Sequence, residues 1–184
     1  FDAICHSFST IAIGGFSTHD ASMGYFNSPQ INLVCVFFLI IAGVNFALHF
    51  AVVQTRSLKT YFFDPEFKVF LCIQLVITFI CFVVLMATGT YEDADTALDQ
   101  ALFQSVSMST TAGFSTTSFA EWPTLLPILL IFASFIGGCA GSTGGGMKVI
   151  RVLLLYLQGL RELNKLVHPK AVFTIKLGNK ALPN

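Results

Sequence analysis

Three stretches of this 184-residue sequence combine glycine with small polar residues in a pattern suited to handling an ion. Two carry the same tetrapeptide, Gly-Phe-Ser-Thr, at Gly15–Thr18 and Gly113–Thr116, and the third, Gly137–Lys148, holds six glycines in twelve residues. A cation that sheds its water needs a ring of oxygens in exchange. Backbone carbonyls supply one where glycine lets the chain adopt angles that a side chain forbids and leaves a narrow passage free of Cβ. The following Phe16 or Phe114 can pack behind such a loop and hold it. Covalent chemistry finds no comparable support: no HExxH, GxSxG or Asp pair lies within an apolar stretch, and Asp2, Asp20, Asp64 and Glu66 fall outside them. The glycine-rich stretch is not a phosphate-binding loop, because G-x-x-x-x-G-K-[ST] needs Lys directly after Gly and here Met147 intervenes. The expectation is a protein that is not an enzyme.

The two tetrapeptides belong to a longer repeat. Ala3–Thr18 set on Ala101–Thr116, a slide of 98 residues, matches at seven of sixteen positions. Each copy follows a segment too short to span a membrane, roughly residues 2–9 and 97–108, and precedes a long apolar run. The unit therefore reads as half-helix, polar loop, helix. Non-helical backbone at membrane depth is tolerated where it lines a water-filled cavity, and the half-helices would aim their negative C-terminal ends at a central cation. The plainer alternative is an outer turn between two helices, which two copies in register and in the same hydropathic setting argue against.

The composition demands a membrane. Hydrophobic residues make up 54% and charged residues 11%, with mean hydropathy +0.75, where soluble domains carry about 25% charge. Ten Lys+Arg balance ten Asp+Glu, so no basic excess exists to grip nucleic acid. Leu33–Val53 and Phe67–Thr88 each supply the ~20 apolar residues of a spanning helix. A third apolar region, Leu125–Ile136 and Val149–Leu157, is broken by Gly137–Lys148, which cannot be comfortable helix. No Lys or Arg occurs in residues 1–32 or 89–124, so the positive-inside rule puts those segments outside and the loop at 54–66 and the tail from about 158 in the cytoplasm. Five scattered cysteines form no CxxC pair and support neither a disulfide framework nor a zinc site. With no Met start and no cleavable leader, the chain reads as a fragment of a longer membrane protein.

The segments STIAIGGFSTHD (Ser9–Asp20), STTAGFSTTSF (Ser109–Phe119), GGCAGSTGGGMKVIR (Gly137–Arg151) and HPKAVFTIKL (His168–Leu177) resemble the Trk/Ktr/HKT superfamily of potassium transporters, specifically its Trk-type bacterial uptake subunits. The resemblance covers essentially the whole chain. It implies an all-α polytopic membrane protein built from helix, re-entrant pore helix with filter loop, and helix units of a potassium-channel-like pore. Four such units in one polypeptide surround one pore in that family. Residues 1–60 would be most of a second unit, 61–160 a third, and 161–184 a cytoplasmic linker toward a fourth. The resemblance further implies potassium ligation by main-chain oxygens of Ile11, Ala12, Ile13, Gly14 and Gly15, and of Ser109, Thr110, Thr111, Ala112 and Gly113. Gly137, Gly138, Gly141, Ser142, Thr143, Gly144, Gly145, Gly146 and Lys148 would form an intramembrane gate, the alternative being a static kink. In relatives, Ser in place of one filter glycine goes with sodium permeation, so Gly15 and Gly113 favour potassium over a sodium-permeable or weakly selective cation pathway. Potassium is then cargo, with no organic cofactor. The implied setting is multi-pass in a bacterial inner membrane, with lipid, the remaining pore units, a homodimeric copy and cytoplasmic nucleotide-binding regulatory subunits as partners.

Other polar residues in apolar surroundings have plainer readings. Asn45 and His49, spaced i, i+4 on one expected helix face, suit interhelical hydrogen bonding better than an ion or proton site. Gln74 suits the same role. His6 and His19 have the untitratable counterparts Gln104 and Thr117, which weighs against an essential or metal-binding role. Lys148 either contacts loop carbonyls or snorkels to the cytoplasm, and the tail from Gln158 is expected to be a linker, with docking as an additional role.

Overall fold

The computed structural model describes residues 1–168 and the backbone of 176–177 and 180–181. The rest of the expected linker, 169–175, 178–179 and 182–184, with most of the HPKAVFTIKL motif, lies outside the described residues. Among the described residues the architecture is helical, apart from a two-residue antiparallel pair, Lys176–Leu177 with Lys180–Ala181. The helices are α1 (Asp2–Ile11), α2 (Pro29–Gly43), α3 (Phe46–Thr55), α4 (Lys59–Phe63), α5 (Pro65–Ala87), α6 (Ala94–Ser109), α7 (Leu125–Phe135) and α8 (Val149–Val167).

Local signals set several boundaries. Ser28-Pro29 opens α2 and Asp64-Pro65 opens α5, Pro taking the first helical position where its missing N–H is no loss. Asp64 also caps α5, its carboxylate accepting from the Phe67 amide at 2.8 Å. The 23 residues of α5, whose most apolar 18-residue window has mean hydropathy 2.9, extend about 35 Å, enough to cross a bilayer core.

The expected continuous span Leu33–Val53 is not continuous. It breaks at Val44–Asn45 into α2 and α3, bent by 92°. Val44 is extended and Asn45 becomes the N-cap of α3, accepting from the Ala47 amide at 2.8 Å. Asn45 still precedes His49 by one turn, its carbonyl accepting from the His49 amide at 3.2 Å, but its side chain is spent on the cap. The cause lies elsewhere in the chain, since glycine-rich backbone occupies the corner: Cys139 N donates to Gly43 O (2.8 Å) and Phe46 N to Gly141 O (3.1 Å).

Three apolar clusters hold the elements together. Ile13, Val36, Leu39, Phe103, Val106 and Phe114 join α2 and the loop after α1 to α6 and the loop after it. Ile77, Leu85, Trp122, Leu126 and Leu130 join α5, α6 and α7. Val44, Phe70, Cys139 and Val149 surround the helix break. The α5–α6 seam is also stitched by polar side chains, Thr78 with Ser105 at 2.6 Å and Ser109 donating to Gln74 Oε1 at 2.6 Å. Such bonds matter where lipid offers no competing partner.

Candidate functional site

Helices α1 and α6 end alike, and the chain leaves them in the same conformation. Ala12 and Thr110 are right-handed, with φ −75° and −79°. Ile13 and Thr111 then turn left-handed (φ 52° and 72°), Gly14 and Ala112 leave that region, and Gly15 and Gly113 return to it (67° and 84°). Each pair is separated by the 98 residues of the repeat. β-Branched residues at positive φ are genuine outliers, and here one occurs at the same place in both copies. The amides repeat as well. Gly14 N donates to Ser9 O (2.8 Å) and Ile13 N to Thr10 O (3.1 Å), while Ala112 N donates to Ser107 O (2.9 Å) and Thr111 N to Met108 O (3.1 Å).

This alternation has a directional effect. In an ordinary strand successive carbonyls point to opposite sides, but alternating the hand of successive residues sends them off one edge. With the amides turned back into the helix ends and Ile13 and Ala112 packed in the first apolar cluster, the carbonyl edge is left to face the other way. Among the described residues, no carbonyl of 12–15 or 110–113 accepts a hydrogen bond. The two loops also abut: a Cβ on Gly15 would sit 1.9 Å from the Ala112 carbonyl oxygen. Ile11 and Ser109 differ from the other expected ligands, being the last helical residues, and Ile11 O accepts from the Thr143 hydroxyl at 2.9 Å.

Side chains brace the arms that leave the loops. His6 bonds Ser17 (2.9 Å), and its counterpart Gln104 donates to Thr117 O (3.0 Å). Thr18 donates to Asp2 (3.0 Å), and its counterpart Thr116 to Gln100 (2.5 Å). His6 thus serves as a brace in a place where an amide serves equally. His19 also bonds Asp2 at 3.0 Å, and that ring, followed by the Thr18 hydroxyl, holds the Asp2 carboxyl below the usual aspartate range.

The glycine-rich stretch connects α7 to α8 and lies against both loops. Its tip reaches the first through Thr143 and the second through Gly145, whose amide donates to Thr111 Oγ at 2.7 Å. Gly144 is close enough to Thr110 that a Cβ would come within 3.1 Å of its carbonyl oxygen. Lys148 donates through Nζ to the Gly144 carbonyl, so it contacts the loop. Ser142 closes an internal turn on Cys139 O (2.6 Å), and Gly137 N bonds Met147 O (3.0 Å) to draw the neck together. At Gly137 a Cβ would lie 1.9 Å from Gly145 O, and at Gly138 2.7 Å from Gly43 O, so both require glycine.

Glu66 is part of this region although its position gave no hint of it. Buried at the start of α5, it accepts at Oε1 from Ala140 N (2.7 Å) and from Ile150 N (3.1 Å). The available signal was a carboxylate beside Pro65 at the mouth of an apolar helix; its partners lie 74 and 84 residues away.

Known proteins share this arrangement. The profile of the TrkH family, described as a cation transport protein, matches residues 1–184. The chain is 64% identical over 185 residues to the Trk system potassium uptake protein TrkH of Vibrio parahaemolyticus and 63% identical over 183 residues to that of Salmonella typhimurium. Each match covers 100% of this chain and 38% of the relative, so the chain spans well under half of their length. The crystal structure of the potassium transporter TrkH from Vibrio parahaemolyticus matches with a TM-score of 0.95 at 64% identity, over 99% of this chain and 39% of that one. An all-helical membrane fold, a repeated loop and a family match along the entire sequence converge: the chain belongs to the TrkH family of cation transport proteins.

Proposed function

We propose that this chain forms two adjoining pore units of a potassium-conducting protein, 1–60 and 61–160, with 161–184 leading toward a further unit. The observation that carries the reading is the in-register alternation of hand at residues 12–15 and 110–113, which leaves carbonyls on one edge without donors. A dehydrated potassium ion is the ligand that such oxygens suit. Gly15 and Gly113 favour potassium over sodium, because neither unit brings a hydroxyl to that level. The relatives' names, potassium uptake proteins, point the same way.

Gly137–Lys148 acts as the gate in this reading. Its tip bonds to both filter loops, so conduction requires it to leave. The setting is a bacterial inner membrane crossed several times, with the acidic, Lys- and Arg-free segments outside. A homodimer and nucleotide-binding regulatory subunits complete the proposed assembly, and transport of potassium without covalent chemistry is its activity.

Flux of potassium and of sodium into liposomes holding the full-length polypeptide tests the filter, with wild type beside Gly113→Ser. Wild type should pass potassium selectively, and the substitution should cut the potassium-over-sodium ratio about tenfold, equivalent to ~1.4 kcal/mol. Equal flux of both ions in wild type, unaltered by the substitution, would instead support a weakly selective cation pathway.

A further inference from the structure

We propose that Glu66 is the positioning residue of the gate: one carboxylate oxygen clasps the two ends of the glycine-rich loop and keeps its tip under the filter. The inference rests on the gate reading above and concerns a residue of a helix to which the loop is not joined.

The loop has few intrinsic reasons to hold one shape. Six of its twelve residues are glycine, which loses the most conformational freedom on ordering. Its tip is tied to the filter loops by neutral hydrogen bonds, Thr143 to Ile11 O and Gly145 N to Thr111 Oγ. Its ends are held differently. Ala140 N and Ile150 N both converge on Glu66 Oε1, at 2.7 and 3.1 Å, so a single acceptor joins two points ten residues apart. Ile150 lies in the first turn of α8, whose N-cap residue Lys148 provides no side-chain cap. Glu66 therefore substitutes for the missing cap from another helix.

The clasp has a fixed base. Asp64 caps α5 at Phe67 N and Pro65 sets its first residue, so Glu66 projects from a helix start that is itself locked. The two points joined at that oxygen, residues 140 and 150, bracket both tip contacts, and between them Gly141 O is also held by Phe46 N and the Thr143 amide by Ala42 O. A loop released at Glu66 loses its alignment with Ile11 and Thr111, and the blocked state loses population.

The test compares basal potassium flux through the full-length polypeptide in liposomes for wild type, Glu66→Ala, Glu66→Asp, Glu66→Gln and a deletion of Gly144–Gly146. Asp keeps the charge but is a methylene short, whereas Gln keeps an oxygen at the same reach. The deletion should raise flux. Glu66→Ala and Glu66→Asp should raise it roughly tenfold, as expected for an equilibrium that loses two hydrogen bonds to one acceptor. Glu66→Gln should stay closer to wild type, and the potassium-over-sodium ratio should not move in any of them. Wild-type flux in Ala and Asp beside a leaky deletion would overturn the clasp and leave the gate standing. A deletion that assembles without added flux would overturn the gate reading itself. Gln behaving like Ala, with Asp like wild type, would show that charge and not reach matters, also against the clasp. If Glu66→Ala does not insert, the Asp and Gln pair decides; failure of all three to insert would assign Glu66 to folding alone and overturn the proposal.

Discussion

Gly15 and Gly113 hold equivalent places in the repeat yet differ in what surrounds them. Both are left-handed, a conformation that costs a residue with a Cβ about 1–2 kcal/mol. A Cβ on Gly15 would also lie 1.9 Å from the Ala112 carbonyl oxygen, whereas at Gly113 nothing stands within 4 Å. Gly15→Ala should therefore lower the thermal unfolding midpoint of the purified full-length protein clearly more than Gly113→Ala; equal shifts would mean that the two loops do not abut. Both glycines were legible in the sequence because the repeat aligns them. Ile13 and Thr111 were legible as loop residues but not as left-handed ones, since β-branching argues against that conformation and only tertiary contacts impose it. Glu66 was illegible for a related reason: its chemistry is common at helix ends, and nothing nearby in the chain reveals amides that arrive from 74 and 84 residues away.

At the scale of elements, the half-helices, α5 and the interruption after α7 follow from hydropathy and glycine content. The 92° corner between α2 and α3 does not. A hydropathy window adds up residues and registers an unbroken apolar run, but Gly43, Val44 and Asn45 meet backbone from Cys139 and Gly141 that fills the corner. The one local clue was Asn45, a good N-cap in a poor place for mid-helix. Asn45→Ala removes the acceptor for Ala47 N and should cost about 1 kcal/mol. Amide hydrogen exchange should show it as loss of protection confined to the first turn of α3. Unchanged protection there would mean that the corner is held by the glycine-rich backbone alone.

Over the whole molecule, the seam between units is where burial diverges most. Phe114 is 1% exposed among Ile13, Met23, Cys35 and Leu39, residues that precede it by a unit. Its counterpart Phe16 is 81% exposed. If a preceding unit packs on Phe16 as Ile13 and its neighbours pack on Phe114, the two truncations should match in the full-length protein and differ in this segment. Phe114→Ala should cost about 3–5 kcal/mol in either context, while Phe16→Ala should be nearly neutral in the segment and comparably costly in the full-length protein. Thermal aggregation in detergent measures both. A neutral Phe16→Ala in the full-length protein would mean that its face meets no equivalent neighbour. The membrane class and the repeat were plain from composition and self-similarity. Which faces of the repeat are covered depends on neighbours, and a sequence pattern carries no record of them.

The alternating hand of residues 12–15 and 110–113 makes these loops objects that are counted rather than spelled. Between the two copies Ala12 is exchanged for Thr110, Ile13 for Thr111 and Gly14 for Ala112, and the backbone path survives all three exchanges. Adding or removing one residue would do what none of those exchanges does: it would invert the phase of the alternation and turn every later carbonyl to the opposite edge. Up to the closing glycine, chemical identity is negotiable and parity is not.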